Sequence, residues 1–276
     1  RATARAFDIQ PGAHVLCCLP VRFIAGKMMV VRALVNDWNL ILARPDAEAL
    51  RSMEMSVDFA AMTPYQVEQS MVRFPNRFQS IGKLIIGGAA TTPLLESQLN
   101  DFPVRAWATY GMTETITHVA ARELGKKESN DVFQALHGIE FTVTEEGTLR
   151  IHADHLPNGA ITTNDLVALL SPTQFKLLGR IDDVINSGGV KLHPEGIERK
   201  LDGILHRRYY IAAQPDSTFG QRPCWVIEGT PLGVEIEAAL LDAAALRLEK
   251  YEIPVSIRYL NLFETTATGK VKRILP

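Results

Sequence analysis

The chain has 276 residues, 46% of them hydrophobic, and carries 29 basic against 31 acidic residues for a net charge of −2. That length and composition suit a globular protein with more than one domain, and the near-neutral charge argues against a nucleic-acid binder. No apolar run approaches the roughly 20 residues that span a bilayer. Three cysteines, two of them adjacent at Cys17 and Cys18 and the third far away at Cys224, make neither a disulfide framework nor a metal site, so a reducing cytosol is the default compartment.

Ala13 to Leu19 is a continuous apolar run ended by Pro20, the pattern of a strand buried on both faces. Ile24 to Val35 reads as a helix whose apolar residues nearly surround it, so it is expected to be buried on all sides. Asn39 to Ala43 and Val57 to Met62 are strands. Thr63-Pro64-Tyr65-Gln66 opens a helix, with Thr63 as N-cap, Pro64 in the first turn and Gln66 closing a capping box. Leu84 to Gly88 is a buried strand ending in glycines, Pro93 to Leu99 a short helix, and Val104 to Thr109 a strand again. Strand and helix alternating at this spacing predict an α/β domain with a largely parallel sheet.

Lys126 to Asp131 is charged and reads as an exposed loop. Short strands follow at Glu140 to Thr144, Thr148 to His152, Leu166 to Leu170 and Gln174 to Leu178, with Glu146-Gly147 as a hairpin turn. These predict a small antiparallel β subdomain. From Gly179 a separate α+β lobe is expected. It has a helix from Pro194 through Leu201, strands at Tyr209 to Ala213, Trp225 to Glu228 and Val255 to Leu260, and a helix with Ile236, Leu240, Ala244 and Leu248 on its core face.

Between two β-rich runs, Val104 to Thr109 and Ile116 to Ala121, lies Tyr110-Gly111-Met112-Thr113-Glu114-Thr115. Glycine lets the backbone turn sharply and approach a ligand. Two threonines and a glutamate follow with no apolar partner to bury. Hydroxyls donate to phosphate oxygens, and a carboxylate beside them needs a bridging cation such as Mg²⁺. A polar turn between strands explains this stretch equally well on its own.

Three further segments follow: Thr162-Thr163-Asn164-Asp165-Leu166, then Gly179-Arg180-Ile181-Asp182-Asp183 with Ser187-Gly188-Gly189, and Thr266-Ala267-Thr268-Gly269-Lys270. In this order and spacing the four motifs resemble the acyl-adenylate-forming superfamily of acyl-CoA ligases, peptide-synthetase adenylation domains and luciferases. The resemblance runs from about Val15 to the end. It implies a core domain over 1–178 and a mobile lid over 179–276, with ATP, Mg²⁺, CoA and a small carboxylic acid as partners. Thr113 would bind the α-phosphate and Glu114 the metal. Tyr110, Gly111 and Met112 would flank the adenine opposite Gly88, Ala89 and Ala90. Asp165 and Arg180 would hold the ribose, Asn164 standing where the family usually has Gly. Asp182 would be the hinge, Gly188 and Gly189 would border the pantetheine arm of CoA, and Lys270 would be the catalytic lysine.

Each assignment has a plainer rival. The small residues at 88–90 suit tight turn packing, Asp165 a strand-start turn, and Arg180 a surface ion pair with Asp182 or Asp183. Gly188 and Gly189 suit an ordinary hairpin, and Lys270 a solvated tail.

Leu19 to Lys27 resembles the segment lining the acyl pocket, with Arg22, Phe23 and Lys27 as its candidate residues. Many relatives have His where Phe23 stands. Together with Asn186 to Leu192, this stretch is most similar to the o-succinylbenzoate–CoA ligases of menaquinone synthesis. Their substrate has a second carboxylate that is not activated, and Arg22, Lys27 and Arg32 are cations able to pair with it. All three equally suit an exposed helix face. The family's phosphate loop is not found, and is expected upstream of Arg1. Another aryl or fatty acid as substrate, or a non-catalytic nucleotide-binding relative, are the alternatives. A homo-oligomer is compatible with the sequence.

Overall fold

The computed structural model describes residues 1–125, 131–264 and 271–276. Its contacts divide the chain into two compact units. The first comprises Arg1–Thr142, Arg150–Thr162 and Leu169–Lys176, and the second Val143–Leu149, Thr163–Ala168 and Leu177–Pro276.

The chain begins with helix α1 (Ala2–Ala6), strand β1 (His14–Cys17), helix α2 (Ile24–Asn36), strands β2 (Asn39–Leu42) and β3 (Val57–Met62), and helices α3 (Pro64–Arg73) and α4 (Pro75–Phe78). Then come β4 (Ile81–Ile86), α5 (Pro93–Gln98) and β5 (Arg105–Gly111). The five strands pair in parallel in the order β2-β1-β3-β4-β5. Strand β1 is flanked on both sides, which is why its run of Val15, Leu16 and Cys17 is buried throughout. The α3 capping box forms as the sequence predicts: the Thr63 hydroxyl accepts from the Gln66 amide at 3.3 Å, and the Thr63 amide donates to the Gln66 side chain at 3.1 Å.

Strand β6 (His118–Leu124) runs antiparallel to β5, and β7 (Val132–Ala135) antiparallel to β6. With β8 (Glu140–Val143), β9 (Thr148–His152), β10 (Ala160–Ser171) and β11 (Gln174–Arg180), the order continues β6-β7-β11-β10-β9-β8. The antiparallel strands therefore extend the parallel ones edge to edge in one hydrogen-bonded sheet. The expected turn at Glu146-Gly147 is present, with Gly147 at φ 82° and the Thr144 amide bonded to the Thr148 carbonyl at 2.9 Å.

The second unit adds β12 (Ile185–Ser187), β13 (Val190–Leu192), α6 (Pro194–Leu201), β14 (Tyr209–Asp216), β15 (Gly220–Glu228), α7 (Val234–Ala245) and β16 (Ile257–Leu260). Its sheet runs β13-β12-β15-β14, with β16 parallel to β15. The core gathers Ile197, Leu201, Ile211, Trp225 and Ala244, each essentially buried.

Two expectations fail. Helix α2 is not buried on all sides: Gly26, Met29, Arg32 and Ala33 form one buried stripe, while Leu34 is 79% exposed and Val31 and Val35 are also exposed. Only the face at three- and four-residue spacing meets the sheet. In α7, Leu240 and Ala244 are buried but Ile236 is exposed, and Leu248 is buried just past the helix end. A repeat of four drifts about 40° per step against a 3.6-residue turn, so the stripe's first member leaves the core face. The short strands β7, β12 and β13 were not foreseen, and β10 begins earlier than its apolar run because Thr162 to Asp165 pair as strand despite their polarity. No helix among the described residues is long and apolar enough to cross a membrane.

Candidate active site

In the first unit the parallel order β2-β1-β3 reverses direction at β1. Ligands in open α/β sheets sit outside the carboxyl ends of the strands at such a reversal. The segment after β1 carries the candidate acyl-pocket residues. Gly26 is required there, because a Cβ would lie 2.5 Å from the Pro20 carbonyl oxygen. Arg22 is exposed with its guanidinium 4.8 Å from the Phe23 ring centroid, and Lys27 is exposed. These two are helix-entry charges facing solvent.

Arg32, one turn further along α2, is different. It is only 6% exposed. It donates to the Thr117 hydroxyl, lies 3.4 Å from His118 Nδ1, and reaches the Met29 sulfur at 3.7 Å. No carboxylate pairs with it among the described residues. Burial alone lowers its pKa to about 10. His118 is also buried, its ring edge-on to Phe7 at 5.6 Å, and burial with Arg32 nearby lowers its pKa to about 3.

Thr117 and His118 end the Tyr110 to Thr115 loop. The loop is pinched at Gly111, where a Cβ would lie 2.6 Å from the Thr117 carbonyl oxygen and 2.7 Å from the His118 Cα. Thr113 and Glu114 are exposed at its tip. Thr115, expected to be as free as Thr113, is instead fully buried. Its hydroxyl accepts from the Met112 amide at 3.0 Å and lies within 2.9 Å of the Met112 and Thr117 carbonyls, so it closes the loop. Ile116 takes φ 67°, a left-handed conformation unfavourable for a β-branched residue. Tyr110 is wedged edge-on against Phe133 and Phe175, at 6.0 and 5.1 Å.

The carboxyl end of β4, beside β5, carries Gly87 to Ala90. A Cβ on Gly87 would lie 2.7 Å from the Thr109 hydroxyl, Gly88 has φ 87°, and Gly88, Ala89 and Ala90 are exposed. The next residues are fixed by an ion pair: Arg122 grips Glu96 at 2.5 and 2.9 Å, and Thr91 donates to Glu96 at 2.5 Å.

Within the second unit, Asp165, Arg180 and Asp182 come together. Arg180 bonds Asp165 at 3.2 Å and Asp182 at 2.9 Å, so the ion pair with Asp182 that the sequence offers for Arg180 is formed. Asn164, where the family usually has Gly, donates to Asp182 at 3.0 Å. The hydrogen bonds from Asn164 and Arg180 hold the Asp182 carboxyl below the usual range. Gly188 and Gly189, at φ 59° and 86°, form the two-residue turn of the β12–β13 hairpin. Lys270, with Thr266 to Gly269, lies outside the described residues.

Three residues escaped sequence reasoning. Thr117 and His118 carry no motif of their own and were missed. So was Arg273, which meets Glu198 at 2.9 Å as well as in a closer contact, Glu195 at 3.4 Å and Asp183 at 3.9 Å. No cluster of three or more metal-ligating side chains occurs among the described residues. A metal here would rest on Glu114 with oxygens from a ligand, which is how Mg²⁺ is commonly held beside phosphates.

The profile of the AMP-binding enzyme family matches residues 1–164. The 2-succinylbenzoate–CoA ligase of Salmonella typhimurium is 24% identical over 273 residues, covering 93% of this chain and 57% of that protein. That of Enterococcus faecalis is 22% identical, covering 94% and 59%. The chain thus spans little more than half the length of the curated relatives it matches. Among solved structures, an acyl-CoA synthetase (AMP-forming)/AMP-acid ligase II-like protein from Dyadobacter fermentans is 32% identical with a TM-score of 0.63, over 99% of this chain and 79% of that one. The o-succinylbenzoate coenzyme A synthetase of Bacillus subtilis, in complex with ATP and magnesium, aligns with a TM-score of 0.83 at 18% identity, over 99% and 63%.

Proposed function

The chain belongs to the AMP-binding enzyme family, and from that premise we propose that it serves an ATP-dependent acid–CoA ligase whose acid is a dicarboxylate of the o-succinylbenzoate type. The acid's carboxylate attacks the α-phosphate of ATP and releases pyrophosphate. The thiol of CoA then attacks the acyl carbonyl of the adenylate, forming the thioester and releasing AMP. Bound Mg²⁺ would neutralise phosphate charge.

In the first unit, Thr113 would donate to the α-phosphate and Glu114 would hold the metal. Tyr110, Gly111 and Met112 would border the adenine with Gly88, Ala89 and Ala90. In the second unit, Asp165 and Arg180 would take the ribose hydroxyls, with Asp182 as hinge for a mobile lid and Gly188 and Gly189 beside the CoA arm. Lys270 would draw the two anionic reactants together.

The observation that carries the choice of acid is Arg32. A guanidinium buried without a counter-ion is costly. An anion arriving with the substrate offsets that cost. Arg32 bonds the residues that end the Thr113–Glu114 loop, so a carboxylate held by it belongs to an acid whose other end reaches that loop. Arg22 and Lys27, facing solvent, would add only long-range attraction.

The test is a panel of aryl, fatty and dicarboxylic acids, each scored by acyl-AMP formation and then by CoA thioester formation. The diacid is expected to be preferred over its analogue lacking the spare carboxylate. Preference for a long-chain monoacid would overturn the choice of acid, and nucleotide binding without turnover of any acid would overturn the ligase itself.

A further inference from the structure

His118 touches three elements at once. It begins β6, its Nε2 lies 3.4 Å from the Thr3 hydroxyl of α1, and its Nδ1 lies 3.4 Å from Arg32 Nη2 of α2. Arginine has no acceptor. The Nδ1 atom must therefore accept, and the ring proton sits on Nε2, directed at Thr3. Phe7 covers the ring, and Phe7 itself packs on Phe59 and Trp107. Thr117 Oγ1 takes the other proton of the same Arg32 nitrogen.

We propose that His118 is a positioning residue for substrate selection, an uncharged acceptor that fixes the Arg32 guanidinium while leaving its positive charge unspent for the acid's spare carboxylate. This rests on the diacid reading above. The first unit's other buried arginine, Arg122, is held instead by a carboxylate, Glu96. A carboxylate at 118 would hold Arg32 equally firmly and cancel the charge that recruits an anion. An apolar residue would leave the charge but not its direction. A neutral imidazole supplies direction alone. Burial and Arg32 keep the ring unprotonated at any working pH. With both protons of Nη2 engaged and one on Nη1 turned to Met29, the remaining Nη1 and Nε protons have no recorded partner among the described residues.

The experiment measures dissociation constants of two non-hydrolysable acyl-adenylate analogues, one made from o-succinylbenzoate and one from the acid lacking the spare carboxylate. Their ratio isolates recognition of that carboxylate from adenylate binding and from folding. His118→Leu should shrink the ratio about tenfold, the usual loss on removing a hydrogen bond to a charged group, with the monoacid analogue bound as before. His118→Gln, which keeps a neutral acceptor, should preserve most of the ratio, and His118→Asp should abolish it. Should the leucine variant not fold, the glutamine–aspartate contrast decides alone, and equal ratios in those two overturn the proposal. Arg32→Met separates the two readings. If Arg32→Met collapses the ratio and His118→Leu does not, His118 has no such role. If Arg32→Met leaves the ratio intact, Arg32 does not read the spare carboxylate and the proposal falls with it, whereas a wild-type ratio near one overturns the diacid reading itself.

Discussion

Two arginines, one in each unit, are held in opposite ways. In the second, Arg273 is 22% exposed and faces Glu198, Glu195 and Asp183. In the first, Arg32 is more deeply buried and faces a hydroxyl, a thioether and a neutral imidazole. A cation surrounded by carboxylates is satisfied by its own fold and acts as a clamp. A cation given only neutral partners keeps its field, and that field is useful only to something not yet bound. The carboxylates also hold Arg273 protonated more firmly than a free arginine, whereas burial pulls Arg32 the other way. Charge balance at the guanidinium is thus what distinguishes Arg32 from Arg273.

The clamp should show the largest effect. Arg273 donates to Glu198 and to the Ile211 carbonyl at 3.1 Å, and Glu198 also accepts from the Ile211 amide at 2.7 Å. Arg273→Met would strand Glu198 in a mostly buried position. The expected loss is about 3 kcal/mol, at the lower end for breaking one side of a buried pair. Hydrogen exchange at the Tyr210 and Ile211 amides of β14 should then quicken about a hundredfold. Unchanged exchange would mean that the three carboxylates do not depend on Arg273.

A smaller effect concerns acid. The folded-state pKa of His118 is about 3, against about 6.5 for a free histidine. As pH falls below 6.5 the unfolded chain takes up a proton that the folded chain refuses. The contribution to stability is therefore present above about 6.5 and is lost as pH falls towards 3, with a slope of about 1.4 kcal/mol per pH unit. Between pH 7 and 4.5 the wild-type protein should lose about 2–3 kcal/mol more than His118→Gln in urea denaturation. Parallel losses in the two proteins would place His118 in a solvated, ordinary environment.

Most of the fold could be read from the sequence where pattern and chemistry agree. The Thr63–Gln66 box and the Glu146–Gly147 turn depend on neighbours a few residues away, and both form. The α2 stripe was misjudged because periodicity reports how apolar a helix is, not which of its faces finds a partner. Thr113 and Thr115 look alike in sequence, and only the closure of the loop makes one exposed and the other buried. Arg32 read as one of three similar cations. Its distinction lies in His118, 86 positions away, which the β5–β6 register brings to the same place. Arg273 pairs with Glu198 across 75 positions. No local signal encodes such meetings.

The smallest effect on stability is the one that sharpens the comparison most. Arg32→Met removes a buried charge that has no counter-ion, which by itself favours the folded state. It also takes the Arg32 proton from His118 Nδ1, which then has only the Thr117 hydroxyl at 3.5 Å, at a cost of up to about 1–3 kcal/mol. Methionine fills much of the same volume beside Met29. These terms oppose each other, so the urea midpoint should move by no more than about 1 kcal/mol in either direction, against about 3 for Arg273→Met. The same substitution should erase the preference for the diacid adenylate over its monoacid analogue. A fold left nearly intact with recognition lost is what a ligand-directed arginine requires. Equal destabilisation by the two methionine substitutions would instead make Arg32 another clamp, satisfied by Thr117 and His118 alone, and the contrast between Arg32 and Arg273 would disappear.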